Sequence, residues 1–176
     1  MKKMFIAALA CALAVFTGCK SIPEKETVGQ KAYAAGLAAG YASALIPKIT
    51  AQDKTNAVVI VTIAERFIPQ DGQTFEQAWT PVIQEAITKL IAQGKVTEEQ
   101  AVLVKMAADL GVKGIDYLFI KHPKWRQEQD VFAVAIHEAC NGFRTGIGIN
   151  PNNQEVVDLV NSIMDKETFK LCAPAR

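Results

Sequence analysis

Neither sign of charge is in excess in this sequence: 19 lysines and arginines stand against 18 aspartates and glutamates, a formal net of +1. That balance excludes nucleic-acid binding driven by phosphate neutralisation. Histidine is scarce, with two residues in 176, which leaves too few ligands for most zinc centres. Four cysteines, 11 glycines and 7 prolines exclude a disulfide-dense scaffold, a collagen repeat and a low-complexity chain. No repeat of 20–50 residues is visible. What the chain does have is apolar side chain, half of all residues, enough to bury a core for one domain of ordinary size.

The first nineteen residues read MKKMFIAALACALAVFTGC. Lys2 and Lys3 form a basic start, and Met4 to Phe16 is an unbroken run of 13 apolar residues. The run fits the hydrophobic region of a secretory signal and is shorter than the ~20 residues a spanning helix needs. Phe16-Thr17-Gly18-Cys19 resembles the lipobox of bacterial prolipoproteins, with Phe16 where that family usually has leucine. The resemblance implies cleavage after Gly18 and a diacylglycerol on Cys19, which becomes the new N-terminus. It covers only these residues. Removing residues 1–18 takes Lys2 and Lys3 away and turns the net charge from +1 to −1. Diacylglycerol with an N-linked acyl chain supplies more than one fatty tail, the condition for stable anchoring. In diderm lipoproteins a residue other than aspartate after the cysteine, here Lys20, implies export to the outer membrane, facing the periplasm. In a monoderm the anchor would hold the protein on the outer face of the plasma membrane.

After processing, Cys140 and Cys172 remain in an oxidising compartment, where an even pair reads as a disulfide. A bridge between them would close a loop of about 32 residues, worth roughly 3–4 kcal/mol in the chain-entropy model.

Residues 19–30 read as a lipidated cysteine and polar tether, and 31–176 as a single all-α domain of about six helices. An Ala-rich helix over 31–46 stops at Pro47. Thr50-x-x-Asp53 has capping-box spacing and opens a helix through Ala57–Ile63, where a buried strand is the rival. Thr55, Thr62, Glu65 and Arg66 are expected to form its wet face. Phe75 to Ile91 carries a helical stripe. Either Thr74 caps one long helix that Pro81 interrupts, or Thr80 caps a new one with Pro81 at its first position. Thr97-x-x-Gln100 caps a helix to Gly111, and 112–121 is ambiguous. Helices over about 125–143 and 152–165 follow, separated by the Gly- and Asn-rich 145–153.

Three groups could carry function. Ala32, Gly36, Gly40 and Ala44, four apart, form a small-residue row that lets helices approach closely. It would pack inside the bundle, on a membrane surface or against a second copy. Lys121, Lys124, Trp125 and Arg126, with Arg144, could meet phosphates of an anionic or lipidic envelope ligand, though an interhelical loop whose Trp covers the core looks the same in sequence. His137-Glu138-Ala139-Cys140-Asn141 fails the H-E-x-x-H zinc motif at Asn141. Asp130, His137, Asn141 and Arg144 nevertheless share a helical face, on which His137 could act as a general base. No P-loop, G-x-S-x-G serine or placed carboxylate pair exists. The expectation is therefore a cell-envelope lipoprotein with a structural or protein-interaction domain, not an enzyme and without cofactor or metal. An anionic-ligand binder is the alternative, and a cell-wall hydrolase using His137 and Glu138 is a third reading.

Overall fold

The computed structural model describes residues 25–69, 73–150 and 152–164. These form six α-helices and no strand, the all-α bundle expected. Helix α1 is Lys25–Ala44, α2 Ala51–Ala64, α3 Phe75–Ala92, α4 Glu98–Lys121, α5 Gln129–Ile147 and α6 Gln154–Ile163, with a 3-10 turn at Pro123–Arg126 between α4 and α5. Gly18, Cys19 and Cys172 lie outside the described residues, so cleavage, lipidation and the partner of the expected bridge fall there.

Helix α1 starts six residues before the expected 31, so residues 25–30, read as part of the tether, are helical. Residues 25–30 contain no proline, and Val28, fully buried, gives the added turns something to pack despite Gly29. Three helices open with reciprocal caps. Thr50, Thr74 and Thr97 each accept from the backbone N–H three residues on, and Asp53, Gln77 and Gln100 return the bond. Thr74 therefore caps α3, and Pro81 lies within the helix. Pro81 cannot supply the N–H that the Gln77 carbonyl would otherwise receive.

The stretch 57–63 is helical, not a strand, and lies at the centre of the molecule. Its wet face is smaller than expected, because Thr55 is buried and its hydroxyl donates to the Ala51 carbonyl at 3.1 Å. Helix α4 runs ten residues past Gly111 and absorbs the ambiguous 112–121. Gly111 and Gly114 survive mid-helix because neighbours use the space: an added Cβ would lie 3.2 Å from the Phe143 ring and 3.2 Å from the Ala39 Cβ, respectively. Helix α5 continues to Ile147 and ends on left-handed Gly148, φ 83°.

The tightest packing joins α1 and α5, which lie side by side in parallel. Gly29 faces Val134 and Glu138, Gly36 faces Ala139 and Phe143, and Gly40 faces Phe143 and Ile147. The fit is reciprocal. A Cβ on Gly36 would stand 1.8 Å from the Ala139 carbonyl oxygen, and one on Gly142 would stand 2.0 Å from that of Tyr33. Gly40 and Gly146 repeat the pattern one turn later, at 2.3 Å and 2.2 Å from the carbonyls of Phe143 and Leu37. Helix α4 runs antiparallel along the next side of α1. Ala39 meets Gly114, and the buried Ser43 hydroxyl donates to the Ala107 carbonyl at 3.1 Å.

Candidate functional site

The polar residues of α5 converge with one residue from far upstream. Glu65 caps the C-terminus of α2, and its carboxylate binds two side chains of α5. Oε1 lies 2.8 Å from His137 Nδ1, and Oε2 accepts from Arg144 Nη2. Arg144 Nη1 donates to Asn141 Oδ1 at 2.9 Å, and Asn141 Nδ2 lies 3.1 Å from His137 Nε2. The four side chains close a ring, and its polarity follows from chemistry. A guanidinium only donates, so Asn141 must turn its oxygen to Arg144 and its amide N–H to His137. His137 Nε2 must then accept, which leaves its proton on Nδ1 to donate to Glu65. Both imidazole nitrogens are engaged within the ring.

Arg144 is only 5% exposed, so its charge is compensated inside the protein by Glu65. Cys140, on the turn between His137 and Arg144, is fully buried and has no disulfide partner among the described residues. Burial first, and the Glu65 charge second, push its ionisation well above the usual thiol range, so it holds its proton. Asp130 stands in the first turn of α5, apart from the ring, and Glu138 faces Gly29. No group of three or more His, Cys, Asp or Glu able to hold a metal occurs among the described residues.

The five residues expected to form a ligand patch do not come together. Trp125 is 2% exposed, with its ring against Phe119 at 6.2 Å and stacked on His122 at 4.2 Å. Arg126 donates to the Gln73 carbonyl at 2.7 Å and lies over the Phe75 and Phe119 rings. Beside it, Asp116 accepts from the backbone N–H groups of Phe75 and Glu76 at 2.9 and 3.1 Å and so caps the start of α3. Arg144 belongs to the Glu65 ring. Only Lys121 and Lys124 of the five remain exposed. The physical reason is that an aromatic beside cations stabilises an interhelical corner as readily as it meets an interface.

His122 gives this corner a pH dependence. Burial, and then the nearby Lys31 charge, lower its ionisation below the ordinary histidine range. The folded state therefore binds this proton less readily than the unfolded chain. Stability from this group is present above the unfolded pKa of about 6.5 and declines as pH falls below it. His122→Phe, which keeps a ring on Trp125, should flatten that part of the curve in urea denaturation between pH 7 and pH 5. An unchanged slope would assign the loss to other groups.

Sequence reasoning placed His137, Asn141 and Arg144 on one face but missed Glu65 as their partner, 72 positions from His137. The small-residue row is filled within the chain, since Gly36 and Gly40 receive α5. No described helix is long and apolar enough to cross a membrane. No protein-family model matches the chain, and comparison with curated proteins and with solved structures finds no match.

Proposed function

We propose that this chain is a cell-envelope lipoprotein whose helical bundle is a rigid structural or protein-interaction module held at the membrane, not an enzyme. The observation that carries the reading is the run Lys2-Lys3, 13 apolar residues, then Gly18-Cys19. The domain's polar groups support the second part of it. Among the described residues, His137, Asn141 and Arg144, which share the helical face considered as a reaction centre, close into a ring with Glu65 that links α2 to α5. With Lys20 after the cysteine, the anchor is expected in the outer membrane of a diderm.

The test is intact mass and membrane fractionation of the expressed chain beside Cys19→Ala, with and without reductant. A lipid-sized mass increase and membrane retention, with the added mass lost in the variant, are the expected result. A wild type that is soluble and unlipidated overturns the reading. In the same experiment, a gain of two hydrogens on reduction would assign a Cys140–Cys172 bridge. Without that gain, Cys140 stays the buried free thiol of the bundle.

A further inference from the structure

From Ala32 to its end, α1 carries no charged side chain, and the described helices cover two of its sides. The Gly36/Gly40 side takes α5, and the Ala39/Ser43 side takes α4. Helix α5 also reaches α4, with Phe143 against Gly111, so it sits in the groove beneath the α1–α4 pair. Among the described residues, no helix lies on the opposite, outer face of that pair. On α1 it presents Leu45, 60% exposed, and on α4 the exposed row Val102, Met106 and Ile120, the last 74% exposed. Because α1 and α4 run antiparallel, Leu45, Val102 and Met106 fall at one end of this face and Ile120 toward the other, with Lys113 between.

The lysines of this face lie toward the end where α1 begins, and its acids lie toward the other end. Lys31, Lys113 and Lys121 lie on it or border it. The flanking acid Asp109 is paired with Lys105 at 2.5 Å, and Glu99 stands at the far end. The chain outside the structure ends on the same element. Between Cys19 and the first residue of α1 there are only residues 20–24, which span at most about 20 Å when extended.

We infer that the outer face of the α1–α4 pair lies on the surface of the bilayer that holds the anchor. Leu45, Val102, Met106 and Ile120 enter the headgroup boundary, and Lys31, Lys113 and Lys121 reach anionic lipid phosphates. This is the in-plane arrangement of amphipathic helices, with long cationic side chains extending to the headgroups. The inference rests on the lipid anchor proposed above.

The experiment uses the full chain, processed and reconstituted in vesicles of phosphatidylethanolamine and phosphatidylglycerol. A water-soluble lysine-acylating reagent is added, and peptide masses give the rate at each lysine. Lys31, Lys113 and Lys121 should react about tenfold more slowly than Lys95, which is exposed beside α6, relative to their ratio without vesicles. Met106→Glu with Ile120→Glu, both at exposed positions, should remove that protection while the intact mass still shows the lipid. Equal rates in the lipidated wild type overturn the inference and leave the anchor standing. Protection that is already complete without vesicles assigns the face to a second copy and overturns it too. A mass showing no lipid on Cys19 instead overturns the anchor, and the inference falls with it.

Discussion

Gly36→Ala should destabilise the protein by about 3 kcal/mol, a drop in melting temperature on the order of 10 °C for a domain of this size. The added methyl is small, and alanine is the better helix former by about 0.8–1.0 kcal/mol. Packing decides the sign. A Cβ at Gly36 would stand 1.8 Å from the Ala139 carbonyl oxygen, which is backbone and cannot rotate away. Helices α1 and α5 would have to part, and the carbonyl contacts at Gly40, Gly142 and Gly146 would loosen with them. Gly29→Ala is the control. Its Cβ would meet only side chains, the nearest the Glu138 Cγ at 3.5 Å, so propensity wins and stability should hold or rise slightly. Thermal unfolding of both variants checks the contrast, and equal melting temperatures would refute a backbone-to-backbone contact of α1 with α5.

Breaking the Glu65–Arg144 pair should have the other large effect. Glu65→Leu leaves the Arg144 guanidinium, 5% exposed, without a counter-charge and should cost roughly 3–5 kcal/mol. Arg144→Met alone removes the buried cation but leaves Glu65 and the Asn141 oxygen short of their donors. Joining the two changes should recover much of the loss, because an apolar pair of similar volume needs no compensation. Urea denaturation of the wild type, both single variants and the double variant gives the coupling free energy. Simple additivity would mean that the two charges do not depend on each other for burial.

Much of the architecture was legible in local chemistry. Threonines followed three residues later by aspartate or glutamine mark the starts of α2 and α4, since a cap is satisfied within four residues of chain, and the structure decides for Thr74 over Thr80 at α3. The all-α class and the six helices follow from the apolar period. Helix ends were less legible. Glycine argues for a stop at Gly111, and only the Phe143 ring lying against it explains why α4 continues.

The polar features divide in the same way. Sequence alone placed His137, Asn141 and Arg144 on one face, because four-residue and three-residue spacings are fixed by the helical turn. It could not supply Glu65, which meets them only because α2 ends against α5. The row Ala32, Gly36, Gly40 and Ala44 announced a close helix contact, and Gly142 and Gly146 are the complementary row that decided its partner. Trp125 and Arg126 fit either a surface patch or a corner over the core in sequence, and Phe119, Phe75 and Asp116 make them the corner. Spacing along one chain dictates which side chains share a face. Which face is left to water, and which charge finds its counter-charge, depends on elements distant in sequence and was decided only by the tertiary structure.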